Sequence, residues 1–354
     1  MYLKYLLQNT VNVALITLTT TILHAQVITG FVADDKGEPA IGATVYFDGT
    51  TIGTTTNTKG YFSINPKAII NAALVVSYMG YETVVISNPF ETKVHNIALT
   101  PKPLSIREVT IVSDPFTQEE MLKAFKREFL GTNWAGKRCN ILNEEDIELF
   151  YDYGTNRLEA RSLKPLHIDN RFLGYMVEFD LIDFYIKFNK RTLKKDFMHS
   201  SLFLGTSLFK EYHAMNRRHT KRREDSYKGS QLNFFRDLAQ MKWGKEGFIL
   251  FYGSYPTLPS GAFEVKDTLG LKMVTLLPNP DAPKIRGVDG KEITPSTRSF
   301  NLLYNNKHQS MVKFSTTKFF IDSHGNNSHP HQISFGGDMG KRRFGNLLPL
   351  DYNP

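Results

Sequence analysis

Cysteine is nearly absent from this sequence, and its scarcity limits how the folded chain is held together. The 354 residues include one cysteine, Cys139. A single cysteine cannot form a disulfide within the chain, so we expect a hydrophobic core to stabilise the fold. Cys139 lies in the segment GKRCNILN, which offers no neighbouring base to activate a nucleophile. We therefore interpret it as a buried structural thiol.

Familiar catalytic and cofactor-binding motifs are absent as well. The sequence contains no G-x-S-x-G, G-x-x-x-x-G-K-[S/T], G-x-G-x-x-G or H-E-x-x-H pattern. Pairs of carboxylates occur in a predicted turn and on the solvent-exposed face of a predicted strand. Their spacing in sequence does not establish the distance between two carboxyl groups that glycoside hydrolysis requires. These absences lower the expectation of enzymatic activity, and we expect no cofactor.

Long apolar runs are missing after residue 26, so no later segment is expected to cross a membrane as a helix. The first residues differ, because Lys4 precedes an uncharged apolar run that ends shortly before Ala25. This pattern predicts a signal peptide over residues 1–25, with an uncleaved anchor helix as the alternative. We therefore expect an exported protein of the periplasm or outer membrane.

Residues 26–100 contain seven short segments rich in β-branched and aromatic residues. Turn-forming residues separate them, including Gly37 with Pro39, Gly49, and Asn57 with Gly60. Short strands at this close spacing predict a seven-stranded antiparallel β-sandwich.

The segment ITGFVADDKGEPAIGATVYFDGTTIGTTTNTKGYFSI, followed by LVVSYMGYET, resembles the carboxypeptidase regulatory-like domain, a transthyretin-like β-sandwich. In that family the sandwich is an accessory module beside zinc carboxypeptidases and at the N-termini of TonB-dependent outer-membrane receptors. The resemblance implies a fold and not an activity. None of the ten histidines is followed by glutamate three residues later, so the H-x-x-E pair of a zinc carboxypeptidase is missing.

The remaining chain divides into a linker and a second domain. Residues 101–116 contain three prolines and predict a linker. Residues 117–354 combine many alternating segments with two amphipathic patterns, which predicts a β-rich α+β domain of unknown function with about two helices. The fold class is therefore mainly β.

Capping signals mark both predicted helices. Thr117 and Glu120 form a capping box ahead of the first helix, which Gly131 ends. Ser230 is the expected N-cap of the second helix, which Gly244 ends.

The second domain also carries a resemblance. FLGTNWAGKRCNILN, LEARSLKPLHIDNRFLGYMVEFDL, YKGSQLNFFRDL and GKRRFGNLLPLDY are similar to the C-terminal region of bacterial secreted proteins named only for their carboxypeptidase-like regulatory domain. That family implies no established activity. Because the linker resembles the segment after the sandwich in TonB-dependent receptors, a small outer-membrane barrel or a component of TonB-dependent uptake is an alternative. The residues after Phe116 are too few for a plug and a large barrel.

One metal-site candidate stands out in the segment FFIDSHGNNSHPHQI. Three imidazoles and a carboxylate within ten residues have the donor chemistry of a zinc or nickel site, which gives a metal-dependent hydrolase as an alternative function. The competing interpretation is a polar hairpin turn, because the Gly-Asn-Asn sequence at its centre favours a turn. The four candidate ligands are Asp322, His324, His329 and His331.

A basic run, NRRHTKRREDSYKG, contributes much of the formal net charge of +8. After export, an anionic lipid or the acidic face of a partner is a more accessible target than nucleic acid. The alternative is a solvated loop between a strand and the second helix. The candidate anion-binding residues are Arg217, Arg218, Lys221, Arg222 and Arg223.

The sequence thus favours a non-enzymatic binding or scaffold protein of the cell envelope. The sandwich would act as an interaction or positioning module, with edge strands available for strand addition. The expected partner is an envelope protein or glycan, with possible association with the outer membrane and no role for nucleic acid.

Overall fold

The computed structural model describes most of the chain after residue 26. The described ranges are 27–66, 70–102, 116–213, 216–278, 285–286, 292–293 and 297–354. The predicted signal peptide and most of the predicted linker lie outside them, and the predicted domain boundaries stay predictions.

Seven short strands near the N-terminus form two facing sheets. One sheet has the order β4-β1-β7 and the other the order β3-β2-β5-β6. The predicted seven-stranded sandwich is confirmed. The strands are β1 Ile28–Ala33, β2 Thr44–Phe47, β3 Gly53–Thr55, β4 Tyr61–Ile64, β5 Leu74–Ser77, β6 Val84–Ile86 and β7 Val94–Ala98.

One pairing departs from the predicted antiparallel arrangement. Strands β1 and β7 are parallel, whereas the other pairs of the sandwich are antiparallel. Between β1 and β7 the chain contributes four strands to the second sheet. Strand β7 can therefore return to the first sheet in the same direction as β1. Gly30 permits the close approach, because a Cβ there would lie 2.2 Å from the carbonyl oxygen of His95.

The core of the sandwich comes from alternate residues of its strands. Val45 and Phe47 of β2 are completely buried, and Phe62 and Leu74 pack with them from opposite sheets. Each such side chain contributes about 1.5–3 kcal/mol of burial free energy. The module thus has its own hydrophobic core.

The second part of the chain begins with a six-stranded sheet. Its path is β8-β11-β12-β10-β9, and β13 pairs with β12. Strands β12 and β13 have 14 residues each and pair along almost their whole length. The strands are β8 Cys139–Ile141, β9 Ile147–Asp152, β10 Arg157–Ser162, β11 Leu166–Asn170, β12 Tyr175–Phe188 and β13 Met198–Glu211.

A second group of strands follows and builds a separate hydrophobic core. It contains a five-stranded sheet, β15-β14-β20-β21-β23, a three-stranded sheet, β16-β17-β22, and the short pair β18-β19. These strands are β14 Phe248–Tyr252, β15 Tyr255–Pro256, β16 Phe263–Thr268, β17 Leu271–Leu276, β18 Ile285–Arg286, β19 Glu292–Ile293, β20 Arg298–Tyr304, β21 His308–Phe314, β22 Lys318–Ile321 and β23 Ile333–Gly336.

The described residues include five α-helices. Both predicted helices are present, and the predicted caps Thr117 and Ser230 accept hydrogen bonds from the first turns of their helices. No helix in the described ranges is long and apolar enough to cross a membrane. The helices are α1 Gln118–Phe129, α2 Arg217–Tyr227, α3 Gln231–Ala239, α4 Pro259–Ala262 and α5 Gly337–Lys341.

Helix α2 corrects the interpretation of the basic run as a loop. Its buried positions are His219, Arg223 and Ser226, which share one helical face but are all polar. A pattern of apolar residues therefore could not reveal this helix. Asn216 caps it by accepting a hydrogen bond from the backbone N–H of His219 at 3.0 Å.

The sandwich is joined to strand β13 through the turn after β2. The backbone N–H of Gly49 donates to the carbonyl of Ser207 at 2.8 Å, and that of Phe209 donates to the carbonyl of Thr50 at 2.9 Å. Asp48 accepts a hydrogen bond from the Ser207 N–H at 2.8 Å. The turn thus adds a short parallel bridge to the edge of the six-stranded sheet.

Further contacts hold the sandwich in place. The backbone N–H and hydroxyl of Thr51 both donate to the carboxylate of Asp351 near the C-terminus. On another side, the backbone N–H of Asn71 donates to Asp322 at 2.7 Å, and Asn326 donates back to the Asn71 carbonyl at 2.5 Å. Thr83 donates to Asp180 as well, so the sandwich is fixed to the rest of the protein at several separate places.

Candidate functional site

The predicted metal ligand Asp322 has a structural role. Its side chain is buried, and one carboxylate oxygen accepts hydrogen bonds from the backbone N–H groups of His324 at 2.8 Å and Asn326 at 2.9 Å. The other oxygen accepts the bond from Asn71 of the sandwich. The carboxylate therefore shapes its own turn and holds the sandwich, which leaves it poorly placed to bind a metal ion.

The three histidines do not converge with Asp322. His324 and His329 each contact a neighbouring serine through Nδ1, and His331 is exposed on a short 3-10 turn. Within the described ranges, no group of three or more His, Cys, Asp or Glu side chains is arranged to hold a metal ion. The segment instead forms a turn after β22, which agrees with the competing interpretation of a polar turn.

The predicted anion-binding residues separate into an exposed set and a buried one. Arg217, Arg218 and Lys221 of α2 are exposed, and Arg222 is partly buried. Arg217 and Arg218 lie in the first turn of the helix, which has no acidic residue. Positive charges at this end oppose the helix dipole. Arg217 and Arg218 thus form a positive surface without an acidic residue in their own turn, whereas the charge of Lys221 acts on Glu224 of the same helix.

Arg223 is a correction to the predicted set, because its side chain is only 3% exposed. Its guanidinium donates to the carbonyls of Leu173 at 2.7 Å and Gly174 at 3.0 Å, and to Glu211 at 2.5 Å. It also lies 3.6 Å from the ring centroid of Tyr175. Arg223 therefore anchors α2 to the turn before β12 and is not available to an external anion.

Two residues outside the basic run extend the positive surface. The guanidinium carbons of Arg138 and Arg222 lie 4.5 and 4.8 Å from the ring centroid of Trp134, respectively. Trp134 is 55% exposed and meets Phe172 edge to face. Both cations thus stack on one exposed indole, an arrangement that fixes guanidinium planes. We call Trp134, Arg138, Arg218 and Arg222 the arginine–tryptophan cluster.

Backbone contacts hold the cluster in position. Trp134 and Arg138 lie in the loop and 3-10 turn after α1, where the side chain of Asn133 accepts a hydrogen bond from Gly136 at 2.9 Å. The carbonyl of Arg138 accepts a bond from the backbone N–H of Arg171 at 3.1 Å. Arg222 donates to the carbonyl of Phe172 at 3.3 Å. Three chain segments thus converge on the indole.

The charge of the cluster is not neutralised within the described part of the chain. None of its three arginines forms an ion pair there, whereas the neighbouring Arg171 and Arg223 pair with Asp169 and Glu211. Desolvation, followed by the charges of Arg138 and Arg218, lowers the pKa of Arg222 below its usual value. Bringing these guanidinium groups together costs free energy that a bound anion would recover.

The chemistry of the cluster is that of binding. Guanidinium groups donate paired hydrogen bonds to carboxylate, phosphate or sulfate oxygens. The cluster contains no carboxylate, thiol or hydroxyl group. Cys139 follows Arg138, but burial raises the pKa of its thiol to about 12, which keeps it protonated at neutral pH.

The sequence signal for Trp134 and Arg138, which lie outside the basic run, was weak. Trp134 is one of only two tryptophans in the chain and precedes two basic residues in the segment NWAGKRC. An exposed tryptophan beside cations is a recognisable pattern, but its contact with Arg222 joins positions far apart in sequence. Only the fold brings α2 to this loop.

Comparison with known proteins bears on the N-terminal sandwich. Its seven strands, in two sheets, lie within the segment that a protein-family model matches. Residues 28–111 match the CarboxypepD_reg-like domain. The match confirms the resemblance drawn from the sequence for this region. No curated protein matches the chain.

Two solved structures from Acetivibrio cellulolyticus are similar over part of the chain. Both are interface mutants of a type II cohesin–X–dockerin complex. The N-terminal interface mutant shares 24% identity and has a TM-score of 0.17, with 21% of this chain and 49% of that chain covered. The C-terminal interface mutant shares 21% identity and has a TM-score of 0.20, with 28% and 72% covered. The alignment thus spans about half of the first of these chains.

Proposed function

We propose that this protein is a non-enzymatic binding or scaffold protein of the cell envelope. In this proposal the CarboxypepD_reg-like region is the positioning module, and the second part of the chain presents the arginine–tryptophan cluster to a partner. The observation that carries the proposal is the junction between sandwich and second domain. Hydrogen bonds of Gly49, Thr51, Asn71 and Thr83 join the sandwich to later parts of the chain.

The chemistry of the cluster defines the partner that we propose. The guanidinium groups of Arg138 and Arg222 are held on an exposed ring, and none of the three arginines has an internal carboxylate partner in the described ranges. An acidic envelope glycan, or the acidic face of an envelope protein, supplies the missing negative charge. Nucleic acid is not proposed, because we expect the chain to be exported.

The geometry around Asp322 argues against the metal-dependent hydrolase. The carboxylate already accepts three backbone hydrogen bonds, and the histidines do not converge on it. No other observation favours that function, so we propose a single one.

Cell fractionation combined with cross-linking tests the proposed compartment and partner together. The chain, carrying a C-terminal tag, is expected in the periplasmic or outer-membrane fraction and cross-linked to an envelope component. Recovery of the protein from the cytosol alone would contradict the proposal.

A pair of matched variants tests the cluster. Arg138→Gln with Arg218→Gln removes two charges of the cluster, and Arg217→Gln with Lys221→Gln removes two charges from exposed positions on α2 outside the cluster. We expect the first variant to elute from a heparin column at distinctly lower salt and to lose the cross-linked partner. The second variant should change less in both assays. Equal losses in the two variants would show that net charge alone determines binding.

A further inference from the structure

A cavity of about 740 Å³ lies beside α1. Its walls are α1, the segment from Gly131 to Asn140, and the loop of residues 192–194. The helix contributes Glu120, Lys123 and Arg127 among others, which lie along one helical face. The Arg127 guanidinium donates to the carbonyl of Leu193 at 2.9 Å and so joins the helix to the opposite wall.

The interior of this cavity is largely apolar. Phe116, Ala124, Leu130 and Leu193 line it together with the Cys139 side chain. Its volume lies within the range of about 300–1,000 Å³ that is usual for small-molecule sites. An apolar group of moderate size therefore fits this space and gains burial free energy there.

The rim of the cavity is positive. Lys123, Lys137 and Lys194 are exposed there, and none of them forms an ion pair within the described parts of the chain. The one carboxylate in the lining, Glu120, accepts hydrogen bonds from the backbone N–H and hydroxyl of Thr117 in the capping box. Three exposed lysines thus line the cavity, and its one carboxylate is bonded to Thr117.

Apolar walls and a positive rim select a particular ligand chemistry. A neutral apolar molecule fills the interior but leaves the lysines without a partner. A small, fully polar anion satisfies the lysines but leaves the interior without apolar contacts. A molecule with an apolar body and one anionic head satisfies both, because the two parts of the cavity are adjacent.

We propose that this cavity binds a small amphipathic anion, with its apolar body between α1 and the Leu193 wall and its anionic head among Lys123, Lys137 and Lys194. A free fatty acid and a single acyl chain of an anionic membrane lipid share this chemistry. Binding of this kind requires no catalytic group. This inference is independent of the proposed function, since the cavity and the arginine–tryptophan cluster use different charged residues.

Two fluorescent probes with nearly the same rings test the proposal. The first, 8-anilino-1-naphthalenesulfonate, carries the anionic head, and the second, N-phenyl-1-naphthylamine, lacks it. We expect the purified full chain to bind one equivalent of the sulfonate, and to bind it about tenfold more tightly than the neutral amine. Equal affinity for the two probes would overturn the proposal.

Charge-reversal variants locate the site. Lys123→Glu with Lys137→Glu should weaken sulfonate binding by about tenfold or more and leave amine binding unchanged, because the apolar walls remain. The control, Arg217→Glu with Lys221→Glu, makes the same change in net charge on α2 and should leave sulfonate binding unchanged. If both variants weaken binding equally, the sulfonate is responding to net charge and the proposed site is wrong. Urea unfolding of each variant verifies that the fold is retained.

Competition then distinguishes the two sources of ligand. Dodecanoate that displaces the sulfonate below its micelle concentration indicates a free fatty acid. Displacement only by phosphatidylglycerol vesicles indicates an acyl chain taken from a membrane. Both outcomes support the amphipathic-anion chemistry, whereas failure of both to displace the probe contradicts it.

Discussion

Asp48 offers the sharpest test of how the sandwich is held against strand β13. Its carboxylate lies in the turn after β2 and accepts a hydrogen bond from the backbone N–H of Ser207 at 2.8 Å. Burial in this interface raises the pKa of Asp48 from 3.8 to about 6, and the backbone hydrogen bonds only partly oppose the increase. The ionised carboxylate is therefore a cost to the folded state at neutral pH.

The sign and size of this cost follow from the pKa. Between pH 3.8 and about 6 the folded state binds more protons at Asp48 than the unfolded state does, so the free energy of unfolding falls as the pH rises. A change of about two pKa units corresponds to about 3 kcal/mol, reached above the folded-state pKa. Asp48→Asn removes this ionisation and keeps an oxygen that accepts from Ser207. Allowing for imperfect hydrogen bonding of the amide, we expect a net stabilisation of about 2 kcal/mol at pH 7.5.

Urea unfolding at several pH values from 4 to 8 measures the effect. The difference in unfolding free energy between Asp48→Asn and the unmodified protein should be smallest at pH 4 and grow towards pH 7, because other titrating groups cancel in the difference. The same substitution at the exposed Asp196 is the control for the loss of one carboxylate and should change the unfolding free energy by less than about 0.5 kcal/mol at pH 7. A difference for Asp48→Asn that is flat across this range would refute the reasoning.

Three further predictions concern groups whose roles the structure fixes. Arg223→Ala should destabilise the protein by about 3 kcal/mol in urea unfolding, because two carbonyls and Glu211 lose their partner, whereas Lys221→Ala should change stability by less than about 0.5 kcal/mol. Cys139 should react with a thiol reagent at pH 8 roughly a thousandfold more slowly in the native protein than in urea, because burial raises the pKa of its thiol to about 12. Similar rates in the two conditions would show an accessible thiolate. Asp322→Ala should lower the free energy of unfolding by about 2–3 kcal/mol, because three backbone hydrogen bonds are lost. A metal chelator should leave the unfolding of the unmodified protein unchanged. Destabilisation by the chelator would instead support the metal site.

Local signals in the sequence were sufficient where short-range chemistry determines the structure. The strands of the sandwich follow from alternating residues and glycine turns, and α1 follows from its capping box at Thr117 and Glu120. Helix α2 was missed because its buried face holds His219, Arg223 and Ser226, which no apolar pattern reveals. The fold of this region depends on a buried guanidinium that finds carbonyl partners about 50 residues earlier in the chain.

The candidate sites show the same division between local and distant chemistry. Closeness in sequence suggested a metal site around Asp322, but the carboxylate is occupied by its own turn and by Asn71, 251 residues away. Closeness in sequence also grouped Arg222 with Arg223. The Arg222 side chain lies over the exposed ring of Trp134, whereas the Arg223 side chain is buried and donates to Glu211. Trp134 and Arg138 join Arg222 only through the tertiary fold.

The turn after β2 shows how one short segment can serve two purposes. The sequence predicts a glycine turn at Gly49, and the structure confirms it with a φ of 74°. The N–H of that glycine donates to Ser207 and its carbonyl accepts from Leu350, so the turn that reverses the strand also supplies the contacts to the second domain. A side chain at Gly49 would meet Leu350 at 3.0 Å and would strain the backbone, so the reversal of the strand and the docking of the sandwich depend on the same glycine. The residues that define the fold of the sandwich thus also join it to the rest of the chain, which is why we propose a positioning role for it.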